Sequence, residues 1–364
     1  MTNDQSRILR RAWRFLGRLD LAAILIFVVL VLAAVGSCFP QLSSSVAADP
    51  ERLARWAAGA RARYGSLTDL LAASGAFRYS SSTVFLVPLA LLATVTLVCT
   101  LNRWRSVWRR AFYQPVPCSD TALDTAPYTA RLAPSSAIEL PGIVRQGLER
   151  RGFRVRTEDA GNVFYLRGDR NRLAHLATLV THLAVLLLLL GVVLSSRYGW
   201  REEVVIDAGE TVQVGHGSGL ALRNEGFTVA RYPGGSASGY EAEVVVLEGE
   251  RELTRGRVRV NEPLICRSVE LHLSGYAGTE GQYTVTLLAV RDPGYGLVVV
   301  AGFLLLLGLT VDFNFPHCWI HARVGPEGTL RLAGRTDERA YNFGHEFAAL
   351  VKEIERSGMV THVQ

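Results

Sequence analysis

The chain has no Cys-x-x-Cys pair, so it is not itself a thioredoxin-like thiol reductant. It also lacks Gly-x-Ser-x-Gly, a P-loop, His-Glu-x-x-His and a Gly-x-Gly-x-x-Gly following a strand. Those absences disfavour a stand-alone hydrolase, ATPase or dehydrogenase. There is no repeat of fixed period. No pair among the outlying histidines has zinc-site spacing with cysteine.

Charge is missing where apolar residues concentrate. Four blocks, 19–39, 84–101, 173–194 and 295–315, have no Asp, Glu, Lys or Arg in their central stretches except Asp312 near the end of the fourth. Each is close to the ~20 residues that cross hydrocarbon as a helix. The expected fold is a polytopic α-helical membrane protein with four transmembrane helices.

Arginines orient it. Arg7, Arg10, Arg11, Arg14 and Arg18 precede the first block, Arg103, Arg105, Arg109 and Arg110 follow the second, and Arg167, Arg170 and Arg172 precede the third. The positive-inside bias then puts both termini and the middle loop in the cytoplasm. The net charge of +6 lies mostly beside these helices, so topology and an anionic lipid bilayer account for it without nucleic acid. Val35-Gly36-Ser37-Cys38 and Ser45-Val46-Ala47 loosely fit processing signals, but the first block is long for a signal core and reads as a retained helix.

These assignments divide the chain into a basic N-terminus (1–18), an outer amphipathic loop (40–83), a cytoplasmic βαββ segment (102–172), an outer β-domain (195–294) and a cytoplasmic hairpin and helix (316–364). Asp49-Pro50 opens a helix in the first outer loop. The outer domain alternates apolar and polar residues between glycine clusters, the pattern of an antiparallel sandwich. The two cytoplasmic pieces are each too short for a core of their own, which suggests that they pack together. Cys38 and Cys266 fall outside, Cys99 and Cys318 at inner helix ends and Cys118 in the inner loop. A Cys38–Cys266 disulfide is topologically allowed, although nothing in the sequence brings the two together.

Only His175 and His182 are ionisable and well inside an apolar block. Polar groups at membrane depth need partners, which makes them functional candidates. On a continuous helix His182 lies near the bilayer midplane, with His175 about two turns closer to the cytoplasm on the same face. Side chains pointing one way do not sandwich one porphyrin, so a six-coordinate haem at His182 takes its second axial ligand from another helix or subunit. The competing reading is a hydrogen bond to a neighbouring helix, helped by Thr178 and Thr181. His216, His272, His317, His321 and His345 read as surface or packing residues, with His272 worth testing.

Several segments, in order, resemble the ResB (CcsB) family. They are Gly36 followed by Pro40-Gln41, Phe77-Arg-Tyr79 leading to Cys99, His182 with Gly191 nine residues on, Val260-Asn261-Glu-Pro263-Leu264, Arg291-Asp292-Pro293-Gly294, and a tail with Trp319 and Leu332-Ala-Gly334. The chain departs from the family pattern after Pro-Leu, reading Cys266-Arg-Ser-Val-Glu-Leu271-His272, and its outer domain is compact. The resemblance implies a haem-handling subunit of a cytochrome c maturation complex in the bacterial inner (cytoplasmic) membrane. Its partner would be a CcsA/ResC-type membrane protein and its client apocytochrome c.

By that resemblance haem b is carried outward and attached to CxxCH thiols by a holocytochrome c synthase complex. This chain lacks the Trp-rich motif of the partner and is not the catalyst alone. The resemblance also places the axial haem ligand on His182 and puts Cys99 near haem as a weaker candidate; His175, from its place in the apolar block, is another. The alternative is an apocytochrome-binding scaffold that does not itself bind haem.

Overall fold

The computed structural model describes residues 3–42, 46–47, 50–134, 140–234, 236–279, 282–336, 342–356 and 360–362. Among them are four helices long and apolar enough to cross a membrane, at Leu19–Ser37, Thr83–Phe112, Arg172–Tyr198 and Tyr295–Asn314. Their outward surfaces are lined with Leu, Ile, Val and Phe such as Phe27, Leu30, Phe303 and Leu306, all largely exposed. An apolar exterior of this kind is what a bilayer solvates, and the chain is a multi-pass membrane protein.

The described residues fall into two compact units, Met1–Thr96 with Leu186–Ala301, and Leu97–Val185 with Gly302–Gln364. The first begins with an Arg-rich helix α1 (Asn3–Leu16), the apolar α2 (Leu19–Ser37), and two helices α3 (Pro50–Tyr64) and α4 (Leu67–Ala73). Asp49, the expected cap of α3, and Ser45 lie outside the described residues. A 3₁₀ turn, Ala76–Ser81, leads into α5 (Thr83–Phe112).

Gln41 holds the entry to this unit together. Its side-chain amide donates to the carbonyls of Gly36 (2.9 Å), Phe39 (3.0 Å) and Ala76 (3.0 Å), and its oxygen accepts from the Tyr79 N–H at 3.2 Å. Gly36 sits against the Tyr79 ring, where a Cβ would clash. The Gly-Pro-Gln and Phe-Arg-Tyr segments of the sequence are thus two sides of one joint.

Eight strands follow: β4 (Trp200–Ile206), β5 (Thr211–Gln213), β6 (Ala221–Arg231), β7 (Ala237–Glu248), β8 (Arg251–Arg259), β9 (Leu264–Cys266), β10 (Val269–Thr279) and β11 (Gln282–Arg291). They make two antiparallel sheets, ordered β4-β11-β10-β9 and β5-β6-β7-β8. Alternate residues of both, including Ile206, Leu222, Val244, Val246, Leu271 and Leu287, fill one shared core. Asn261 adopts φ 64°, turning the chain between β8 and β9. All five cysteines are free; Cys38 is exposed, and Cys266 is buried in the core of the sheets.

The second unit joins the segments 102–172 and 316–364 into one six-stranded sheet. Its strands are β1 (Tyr128–Pro134), β2 (Arg154–Asp159), β3 (Phe164–Arg170), β12 (Cys318–Val324), β13 (Leu330–Thr336) and β14 (Val360–His362), ordered β14-β1-β13-β12-β3-β2. Pairing of β3 with β12 sets Gly168 opposite Ile320 and Arg167 opposite His321. Helices α7 (Leu140–Arg150) and α10 (Phe343–Ile354) cover one face with Leu140, Val144, Leu148, Phe343 and Leu350, all essentially inaccessible. Arg170 clasps Glu346 with two bonds of 2.6 and 2.8 Å, tying β3 to α10.

Helix α5 continues past the apolar run because Trp104, Trp108 and Phe112 stack at four-residue spacing, with ring centroids 5.6 and 4.5 Å apart. The third apolar block begins in a tighter turn that runs directly into its α-helix. A 3₁₀ turn, Arg172–Leu176, precedes α8 (Ala177–Tyr198), after Asn171 in the left-handed region.

Candidate functional site

Parity along the strands builds the site. In β3 and β12, Leu166, Gly168, Ile320 and Ala322 belong to the face under the helices, so Arg167, Asp169, Trp319 and His321 occupy the other. Each would be expensive to bury alone, and each has a partner. Arg167 grips Asp169 through Nε at 2.8 Å and Nη2 at 2.9 Å, and Arg156 adds a bond of 3.0 Å. Arg167 Nη1 also donates to the Pro115 carbonyl at 3.2 Å and to His321 Nε2 at 3.1 Å.

Burial disfavours ionisation of Asp169, but hydrogen bonds from His317 and Arg167 and the Arg167 charge outweigh it and hold the carboxyl well below its usual range. His321 goes the opposite way for a base. Burial, then the positive charge of Arg167, pushes it down to about 4, with Asp169 opposing.

His317, at the start of the tail, donates from Nε2 to Asp169 Oδ1 at 3.1 Å. An ionised carboxylate only accepts, so the Nε2 proton is on His317. In the neutral ring Nδ1 is then an acceptor, and His175 Nε2 lies 3.1 Å from it. The chain of bonds runs His175 to His317 to Asp169. His175 therefore faces the tail, whereas His182 faces α5. The 3₁₀ turn that holds His175 changes its rotation relative to His182 by only about 40–60° from that of a continuous α-helix, so the two rings stay near one face and differ in their partners.

His182 Nδ1 lies 3.0 Å from the Thr100 hydroxyl. The partner is on α5, not Thr178 or Thr181 of its own helix; Thr181 bonds back to Ala177 O at 2.9 Å. When Nδ1 carries the proton, the hydroxyl accepts and Nε2 presents its lone pair. That is how ligating histidines are commonly oriented. Cys99 is buried, but its neighbour Thr100 makes the contact. For a haem the donor chemistry fits one axial position.

Helix packing sets His182 in place. Gly308 of α9 (Tyr295–Asn314) lets that helix approach Thr181 and Ala177 of α8. Nine residues on from His182, Gly191 meets Gly294 and Val298 closely. Asp292 accepts from Ser195 Oγ at 2.5 Å and from Gly294 N at 3.1 Å. The Asp-Pro-Gly segment is thus the joint between α8 and the start of α9.

Beside the histidine chain is a cleft of about 390 Å³, walled by Arg110, Arg167, Arg335, His175, His317 and Trp319. Among the other histidines, His216 stacks on Trp200 (5.1 Å, 11°) and His272 lies 3.3 Å from Glu270. No metal-holding group of three or more His, Cys, Asp or Glu occurs among the described residues. Thr100, Arg167 and Asp169 are the functional candidates that sequence reasoning missed. The signal for the last two was available, since charges at alternate positions interrupt an otherwise apolar strand.

The model of the ResB-like family matches residues 19–290. Over 205 residues the chain is 27% identical to the cytochrome c biogenesis protein CcsB of Synechococcus sp. (strain JA-3-3Ab), covering 53% of this chain and 41% of that protein. A CcsB from Synechococcus sp. (strain JA-2-3B'a(2-13)) is 24% identical over 204 residues, covering 53% and 42%. The matched region thus spans about two fifths of the length of these curated relatives. Among solved structures, the cytochrome c heme lyase CcmF aligns with a TM-score of 0.33 at 14% identity, over 71% of this chain and 44% of that one. The family match runs from the start of the first apolar helix to the last strand of the β-domain and takes in His182, and the chain belongs to the ResB-like family.

Proposed function

We propose that the chain is a haem-handling subunit of a cytochrome c maturation complex, acting with a CcsA/ResC-type membrane partner. His182 supplies one axial ligand to haem b, and the partner supplies the other. The observation that carries this reading is the Thr100 bond, which leaves His182 Nε2 available within an apolar helix. The names of the CcsB relatives support the cytochrome c assignment. In this reading both termini and the six-stranded sheet are cytoplasmic, the β-domain lies outside the bacterial inner membrane, and apocytochrome c meets the complex there. Haem is cargo: the chain holds and presents it, and thioether formation belongs to the assembled complex.

The test is the visible spectrum of the chain co-purified with its partner. Haem absorption that is lost or altered in His182→Ala is expected. A complex without haem absorption, or a His182→Ala spectrum identical to the parent, overturns the reading.

The same bond favours a second reading, because a histidine that only joins two helices makes the same contact. The chain is then an apocytochrome-binding scaffold, and haem passes through the partner alone. It requires normal cytochrome maturation with His182→Ala and none after deletion of 204–290.

A further inference from the structure

The cleft beside the His175–His317–Asp169 chain has a charge pattern that neither histidine explains. No Asp or Glu lines it, whereas three arginines do. Arg167 is neutralised by Asp169 behind the wall. Arg110, near the end of α5, and Arg335, near the end of β13, have no acidic partner among the described residues.

The contrast with the rest of the same sheet is informative. Further along, Arg323 and Arg331 both reach Asp120 at 2.6 Å, and Arg131 reaches Asp124 at 2.7 Å. Asp120 and Asp124 come from a short helix, α6 (Asp120–Asp124), laid against that end of the sheet. Arginines at that end of the sheet are thus paired through α6, whereas at the cleft Arg335 of the sheet and Arg110 of α5 have no such partner among the described residues. Arginine forks with no protein carboxylate suit a ligand's carboxylates or phosphates. Trp319 adds a flat apolar wall at 6.0 Å from the Arg167 guanidinium carbon, and His175 and His317 add ring edges.

We infer that this cleft binds the two propionate carboxylates of a haem, with Arg110 and Arg335 as the principal contacts. The inference rests on the haem-handling reading and adds to it the polar end of the ligand's site. His175, in the cleft wall, precedes His182 by roughly 11 Å along the helical axis. That spacing is comparable to the reach from a porphyrin's iron to its propionates. The iron end then meets an apolar helix, and the carboxylates avoid hydrocarbon by meeting arginine. A cleft of about 390 Å³ accommodates the carboxylate arms but not the whole ring, which agrees with this division. His175 is a positioning residue in this arrangement: its Nε2 is engaged with His317, so it shapes the wall and does not hold the iron.

A lipid headgroup phosphate offers the same charge chemistry, and the test separates the two sources. The full chain, co-purified with its partner in nanodiscs, is titrated with haem and with haem dimethyl ester, whose propionates are uncharged. The parent is expected to bind haem at least about tenfold more tightly than the ester, the worth of one charge-assisted contact. Arg110→Gln with Arg335→Gln should close that gap, while the ester's affinity and the axial-ligand spectrum stay unchanged. Both side chains are exposed, so folding is not at stake.

Equal binding of haem and ester by the parent, or a gap that persists in the double variant, overturns the cleft assignment alone. A double variant that keeps the gap but loses co-purifying phosphatidylglycerol makes the cleft a headgroup site, which also overturns it. Absence of haem binding by the parent complex overturns the haem-handling reading and the cleft with it.

Discussion

The imidazole of His182 and the hydroxyl of Thr100 meet at 3.0 Å between two apolar helices. Their bond orients the ring about its Cβ–Cγ axis and selects which nitrogen faces away. An unpartnered histidine would keep both freedoms. Asp169, which only accepts, fixes the tautomer of His317; the Thr100 hydroxyl, which can donate or accept, fixes the orientation of the His182 ring.

Replacing Thr100 by Val keeps the volume and removes the hydroxyl. If His182 is an axial ligand, Thr100→Val should lower haem retention by about tenfold or more, in the range seen when outer-shell partners of metal ligands are lost. Thr100→Ser should restore it. Visible spectra and haem content of the co-purified complex measure this. Equal haem content in all three proteins would show that the bond only joins helices.

The four helices were legible because an uncharged apolar run of twenty residues has few other stable fates. The β-domain was legible as alternation, as in Val244 and Val246, both facing the shared core. The six-stranded sheet was visible only as fragments. Strand β3 finds β12 across some 150 residues of intervening chain, and no local pattern in 164–170 names its partner. The site divides the same way. His182 stood out by its setting, but Thr100 is an ordinary helical threonine until α5 and α8 are side by side. His175 stood out in the same way, but its partner His317 lies 142 residues away on the tail, and no local pattern names it.

Gln41 makes four bonds to backbone groups with one side-chain amide. Gln41→Leu preserves bulk and strips all four, leaving the turn at Ala76–Ser81 tied to the preceding segment by packing and the Leu42 N–H to Phe77 carbonyl bond of 2.8 Å. A loss of about 1–2 kcal/mol in local stability is expected, since some of the freed carbonyls regain solvent. Trypsin cleavage after Arg78 should quicken roughly fivefold or more, a ratio that energy implies. An unchanged cleavage rate would mean that the Gly36–Tyr79 contact suffices.

Gly308 is placed where a Cβ would fall 2.5 Å from Thr181 Oγ1 and 3.3 Å from the Ala177 carbonyl oxygen. Gly308→Val therefore forces α9 off α8, one residue from the turn that carries His182. Overpacking of this kind costs about 1–3 kcal/mol. Gly302 on the same helix faces open space, so Gly302→Val is the matched control. Thermal unfolding in detergent should fall for the first and stay level for the second.

Acid should loosen the six-stranded sheet before it reaches any carboxylate. Unfolded His321 takes a proton near pH 6.5, whereas the folded ring, buried beside Arg167 with Arg156 and Asp169 close by, resists until about 4. Between those values the unfolded state binds more protons, so stability falls as pH drops through the window, by about 2 kcal/mol at pH 5. Asp169 acts in the same direction lower down: its depressed pKa stabilises the fold above the unfolded value of 3.8, and that contribution is lost as pH falls further. Hydrogen exchange of amides in β3 and β12 at pH 7 and pH 5, corrected for intrinsic rates, reports the loss. In His321→Gln the amide oxygen still accepts from Arg167 but does not titrate, and the difference between the two pH values should largely vanish. A variant that loses as much protection as the parent would place the acid sensitivity elsewhere in the sheet.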